Sequence, residues 1–324
     1  MDELDAGEPS PSERARAADA ADLYYLQGLK VEETADRLGL SRSTVSRLLA
    51  KARRYGIVEF VLHRTADEAS TLSGRLHAQF GVRAIVAAIP PDAPRAERMD
   101  AVGERAASHL ATLVAPDTTV AVAWSPHIEA LTRHLPTLPT PGTRVVQLHG
   151  SGTGFVSGVH DAGKVLDRVA LAFGATAHPL PIPAFFDSPA TRDAVWAERS
   201  VRRILRLRRA AHVAIVSVGV LDTEEPGHLY RAGFLDGNDL ADLGRDGAMG
   251  DIGTVFVRAD GTSDGIAVNA RSTGLPIAEL CAIPTRVLIA GGSRTAPTVR
   301  AALRAGVATD IVLDDAAARA LLSD

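Results

Sequence analysis

The sequence predicts an α/β protein in two parts: a small helical unit near the amino end, then a larger domain built on a mostly parallel sheet. Three observations carry this. Residues 31–55, VEETADRLGLSRSTVSRLLAKARRY, place apolar side chains at helical spacing on both sides of a glycine. Beyond residue 67, short apolar runs alternate with amphipathic helical segments, the pattern of a sheet covered on both faces. The length of 324 residues, with 46% apolar and 23% charged side chains, suits about two soluble domains.

Residues 1–13 hold Asp2, Glu3, Asp5, Glu8 and Glu13 among prolines and serines, too little apolar surface to fold, and are expected to be a disordered tail. Residues 14–63 form the first domain. Ala35, Gly39 and Val45 are spaced four and then six apart: a small residue where two helices cross, a glycine in a tight turn, and a β-branched plug for the shared core. Leu38, Leu40 and Leu48 supply further apolar contacts, and Ser41 is a good N-cap for a helix starting at Arg42. This is the spacing of a helix-turn-helix. Residues 57–63, IVEFVLH, read as a strand or short wing.

From Ser41 to Gly56 the chain carries Arg42, Arg47, Lys51, Arg53 and Arg54 and no acidic residue, within a protein of net charge −4. That asymmetry points to phosphate. In such a unit the first turns of the second helix face base edges, so Ser41, Arg42, Ser43, Thr44, Ser46 and Arg47 are candidate DNA contacts, Arg42, Ser43, Ser46 and Arg47 the readers among them. Arginine can bridge O6 and N7 of guanine, and Lys51 and Arg54 would add salt-dependent affinity for the backbone.

Residues 67–324 form the second domain. A helix is expected over 69–80, followed by the runs RAIVAAI, TTVAVAW, RVVQL, HVAIVSVGV, RVLIAGG and DIVLD. Ligands of open parallel sheets bind beyond the carboxyl ends of the strands. The residues there are rich in Gly and Ser: Ser125 after Trp124; Gly150, Ser151, Gly152 and Thr153 after RVVQL; Gly291, Gly292, Ser293 and Arg294 after RVLIA. Glycines admit close backbone approach, a helix starting near Thr295 would offer N–H groups to an anion, and Arg294 would clamp it. The competing use of these glycines is a tight strand-to-helix turn. Trp124 is expected at the mouth of the pocket.

Other features narrow the reading. Cys281 is the single cysteine, so neither a disulfide framework nor a cysteine-rich zinc site is expected. With no apolar run of about 20 residues and no signal-like start, a cytoplasmic location is expected. GVHDAGK (158–164) has P-loop spacing but Val165 where Ser or Thr must hold magnesium, and GSGTG lacks the dinucleotide spacing. No cofactor and no metal are therefore expected, the histidines showing no ligand pairing. Arg199, Arg202, Arg203, Arg206, Arg208 and Arg209 form a basic run edged by Val201, Ile204 and Leu205: a helix with a solvated face, the alternative being a second nucleic-acid patch.

Both halves together resemble the SorC type of sugar-binding transcriptional regulators over nearly the whole chain. The resemblance rests on YYLQGL, ADRLGLSRSTVSRLLAKAR, GIVEF, VVQLHGSGTG, LPIP, AHVAIVSVGV, GAMGDIGTVF, AGG and AALRAG. It implies a second domain similar to sugar phosphate isomerases but turned from catalysis to sensing, hence no enzyme. It implies double-stranded operator DNA and a sugar, polyol or sugar phosphate effector as partners, and a homodimer or homotetramer. Asp251 matches a family position and would accept bonds from sugar hydroxyls, or else serve as a loop or cap carboxylate. Two motifs depart from the family: its Trp-Gly-x-Thr is here Trp124-Ser125-Pro126-His127, and its lysine after AGG falls on Thr295. Two other readings stay open, a sugar phosphate isomerase-like enzyme and a DNA-binding scaffold without a ligand.

Overall fold

Contacts divide the chain into two units, residues 1–65 and 66–324. The computed structural model describes residues 11–58, 68–90, 92–151, 162–221 and 233–323.

In the first unit, α1 (Pro11–Ala21) runs into a π-helical turn (Asp22–Leu26), followed by α2 (Val31–Leu38) and α3 (Arg42–Arg54). Residues 11–13, expected within a disordered tail, are helical. Pro11 to Glu13 are the first turn of α1, where a carboxylate suits the helix dipole, and Glu13 pairs with Lys51. Alanines let the helices close on one another: Ala17, Ala20, Ala35, Val45, Leu48, Leu49 and Ala52 form the core, with Leu38 and Leu40 packed against it. The α2–α3 turn follows from its sequence. Gly39 sits at φ 65°, a left-handed conformation that costs an L side chain about 1–2 kcal/mol, and Leu40 N–H returns to Ala35 C=O at 2.9 Å. The Ser41 hydroxyl accepts from Thr44 N–H at 3.2 Å and caps α3. Ile57 and Val58 are in a bend, not the expected strand; the rest of that segment lies outside the described residues.

In the second unit the order is α4 (Glu68–Phe80), β1 (Arg83–Ala87), α5 (Arg95–Leu113), β2 (Thr119–Val122), α6 (Pro126–Arg133), β3 (Arg144–Gln147), α7 (Ala162–Phe173) and β4 (Thr176–His178). It continues with α8 (Pro189–Ala197), α9 (Arg199–Arg209), β5 (Val213–Val220), α10 (Gly237–Arg245), β6 (Ala248–Ile252) and β7 (Val255–Arg258). The last elements are α11 (Ile277–Cys281), β8 (Thr285–Ala290), α12 (Ala296–Arg304), β9 (Asp310–Asp314) and α13 (Asp315–Leu322). The strands run in the order β1-β9-β8-β5-β2-β3-β4, all parallel. Ile215, Val216, Leu288, Ile289, Ile311 and Val312 are fully buried, which is why these strands read as unbroken apolar runs.

Each of the six apolar runs contains a strand of this sheet. The antiparallel hairpin β6–β7 was not among them, because AMGDI neither alternates nor forms an apolar run. It exists because β5 outruns its parallel neighbours, and Val218, Gly219 and Val220 pair instead with Ile252, Asp251 and Gly250. The glycines make that pairing possible, since a Cβ on Gly250 would lie 2.3 Å from the Gly219 carbonyl.

Candidate functional site

Helix α3 divides cleanly. Val45, Leu48, Leu49 and Ala52 point inward, so Ser43, Ser46, Arg47 and Arg54 form an exposed stripe on the opposite side. Its amino end gathers hydroxyls: Ser41 Oγ lies 2.9 Å from Ser43 Oγ and 2.8 Å from Thr44 Oγ1. The hydroxyls of Ser41, Ser43 and Thr44 are thus partly committed to one another at the cap, while Ser46, one turn on, is exposed, as is Ser43. Arg42 pairs with Glu32 of α2 and Lys51 with Glu13, both at the surface. Hydrogen bonding to Glu13 raises the Lys51 pKa, so this side chain is a cation in any ordinary buffer. Arg47 and Arg54 are the exposed cations of the stripe and can reach a groove without breaking an ion pair among the described residues.

The strand order reverses between β2 and β5, and in doubly wound sheets the crevice opens there, at the carboxyl ends. On β5, Gly219 leaves room for the Asp251 carboxylate: a Cβ at Gly219 would meet Asp251 Oδ1 at 1.9 Å. Asp251 Oδ2 accepts from Thr254 N–H at 2.9 Å, and burial pushes its pKa up to about 6, with that one hydrogen bond opposing. Ser217, on the same face of β5 and 6% exposed, has a buried hydroxyl with no partner among the described residues. At the end of β3, Gly150 N–H donates to Thr273 Oγ1 at 3.0 Å, while Gln147 Nε2 donates to His149 C=O and Ser151 Oγ. A Cβ at Gly150 would lie 2.2 Å from Pro183 O, so here the glycine serves close packing. His149 Nδ1 lies 2.9 Å from Gly150 O, and burial lowers the imidazole pKa to about 4.

A second group forms around the Gly291 loop. Asp314, 1% exposed, accepts from Gly292 N–H (2.9 Å) and from Ala317 N–H (2.7 Å), so it caps α13 and holds the loop at once. Arg98 approaches Asp314 at 3.6 Å and Asp315 at 3.1 Å. His127, in the first turn of α6, points at the same loop: its Nε2 is 3.0 Å from where a Gly291 Cβ would be. Burial lowers its pKa to about 4 against the attraction of Asp314, so the ring is neutral near pH 7.

Several expected site residues take different parts. Ser125 is 2% exposed and caps α6, its hydroxyl accepting from Ile128 N–H. Gly292, expected to let a ligand approach its backbone, gives its N–H to Asp314, while Ser293 and Arg294 are exposed in a single 3-10 turn. Gly152 and Thr153 lie outside the described residues. Trp124, expected at the pocket mouth, is 2% exposed; its Nε1 donates to Gly150 O at 3.4 Å, and its ring packs beside His149 and Phe234, with centroids 6.0 and 6.1 Å away. Arg208, expected on a solvated face, is 1% exposed. The residue reading did not select His127, Thr254, Thr273 or Asp314 for the site. His127 was visible as a departure from a motif, whereas the others carry no local signal.

Comparison with known proteins bears on the family and the fold. A family model described as "Putative sugar-binding domain" matches residues 65–323, and a homeodomain-like model matches residues 9–60. The chain is 28% identical over 306 residues to the deoxyribonucleoside regulator of Bacillus subtilis, covering 94% of this chain and 96% of that one. It is 27% identical to the transcriptional regulator LsrR of Klebsiella pneumoniae, covering 96% and 94%. Among solved structures, a domain of a "possible sugar-binding transcriptional regulator" from Arthrobacter aurescens matches with TM-score 0.75 and 38% identity, over 80% of this chain and all of that one. The full-length sorbitol operon regulator of Klebsiella pneumoniae shares the fold, with TM-score 0.72, 23% identity and coverage of 97% and 100%.

Proposed function

Since the chain belongs to the SorC-type family of sugar-binding transcriptional regulators, we propose that α3 reads operator DNA and that a small hydroxylated effector at the sheet's carboxyl ends sets its grip. The observation that carries the first half is the stripe of Ser43, Ser46, Arg47 and Arg54 on a helix whose other side builds the core. Arg47 donates to guanine, the serines reach bases or phosphates, and Lys51, Arg54 and Arg42 supply charge to the backbone. One such helix buries little surface, so a homodimer or homotetramer reads half-sites about 34 Å apart or a multiple of that turn.

For the effector, Asp251, Ser217 and the Ser151 turn are the hydroxyl partners of this reading, with Gly291, Gly292 and Arg294 of the loop after β8 as the further candidates. A sugar, polyol or sugar phosphate has the matching chemistry. The curated relatives are named as regulators, which supports a sensor over an enzyme, and the chain works in the cytoplasm, where its operator is. Among the described residues no helix is long and apolar enough to cross a membrane.

The test is fluorescence anisotropy of the full chain on a duplex from its own promoter, at near-cellular salt, with a panel of sugars, polyols and their phosphates. The expected result is preference over random duplex by at least about a thousandfold and a change in that preference with one panel member. Equal affinity for both duplexes overturns the DNA half, and indifference to the whole panel overturns the effector half.

A further inference from the structure

Helix α9 has one face that builds the protein and another that contributes nothing to it. Leu205 and Arg208 are buried. Arg208 Nη1 donates to the carbonyls of Leu148 (2.8 Å) and Thr273 (2.7 Å), and its guanidinium lies over the Trp196 ring, 5.7 Å from the centroid. On the opposite face Arg199, Arg202, Arg203 and Arg206 stand at i, i+3, i+4 and i+7, all exposed. Like charges at these spacings destabilise a helix by about 0.2–0.5 kcal/mol per pair. Among the described residues none of the four has an acidic partner; Arg209 is the residue of this run that does, with Glu279 at 2.6 Å. The positive field reaches the neighbouring edge strand, where burial first and then Arg144 and Arg203 lower the pKa of His178. Folding does not need these four charges, and the internal anchor at Arg208 holds their helix in place.

We propose that the Arg199–Arg202–Arg203–Arg206 face of α9 is a second contact for duplex DNA, holding backbone phosphates without regard to sequence. It rests on the reading of α3 only in that DNA is already the partner of this chain. Four guanidinium forks on one face suit a polyanion, each able to take a phosphate with two hydrogen bonds. A duplex presents about one negative charge per 1.7 Å of axis, a density that singles it out among anionic partners. The chain as a whole is acidic, at −4, so this cluster is not the by-product of a basic composition. Covalent attachment to a DNA-bound unit raises the local phosphate concentration to roughly the millimolar range, which lets a weak patch add to the affinity.

The experiment uses the full chain with Arg199, Arg202, Arg203 and Arg206 all changed to Gln, and a long random-sequence duplex as the probe. The expected result is a plot of log affinity against log salt that is shallower by about 2 to 4, near 0.9 per lost phosphate contact, with unchanged circular dichroism. The four Arg→Lys changes should restore most of the slope, since they return charge without the fork. In a second background, with Arg47→Ala and Arg54→Ala in α3, the residual duplex binding should still fall when the four arginines are removed. If slope and affinity ignore the four Gln changes in both backgrounds, the proposal is overturned, while the Arg47 and Arg54 changes score α3 separately. A change in oligomeric mass with unaltered duplex binding would overturn it equally, making this face a protein interface.

Discussion

Asp251 holds its carboxyl over Gly219, where desolvation favours the neutral form and lifts the pKa to about 6. Below about pH 4 the group is protonated in folded and unfolded chains alike and has no effect on stability. Between about pH 4 and 6 the unfolded chain ionises first, so stability falls as pH rises, by about 3 kcal/mol once the folded group ionises too. Asp251→Asn retains an acceptor for Thr254 N–H and removes the titration. Thermal unfolding at pH 4 and pH 7 should show this variant losing less stability across the window than the parent, and equal losses would contradict the burial argument. Arg47 belongs to the same scale. Arg47→Ala should remove about 1–3 kcal/mol of discrimination between operator and a base-substituted operator, read by competition anisotropy.

At the scale of elements, the α2–α3 corner tests how much of a helix-turn-helix is fixed locally. Gly39 meets no neighbour within 4 Å of an added Cβ, so a substitution there acts on the backbone alone. Gly39→Ala should destabilise the first unit by about 1–2 kcal/mol, measured by urea unfolding followed through Tyr24 and Tyr25, with no change in the tryptophan signal of the second unit. This corner was legible because each requirement sits within a few residues of the next: Ala35 accepts from Leu40, Ser41 accepts from Thr44, and Val45 fills the core. The strand β4 and the hairpin β6–β7 were not legible. Three residues of β4 show no period, and β6 is a strand because the overhang of β5 needs a partner.

For the whole molecule, the proposed control requires the effector to bind the DNA-competent and incompetent arrangements with different affinity. Coupling must be reciprocal. If the effector changes operator affinity tenfold, about 1.4 kcal/mol, saturating operator must change effector affinity by the same factor in the same direction. Calorimetric titration of the effector with and without operator checks this, and unequal factors would break the two-site scheme.

The sequence by itself determined the helix-turn-helix, the parallel α/β class and the ends of the strands where a ligand could sit, since caps, turns and periodicity act over a few residues. The tertiary structure alone decided which of those ends meet. Gly150 N–H finds Thr273 Oγ1 across 123 residues, Gly292 finds Asp314, and Asp251 comes to lie over Gly219. It also turned Trp124 and Arg208 inward, against expectation. Parallel core strands look alike as apolar runs, so their order is not written in any one of them. That order is set by packing the whole sheet at once, and the crevice follows from the order.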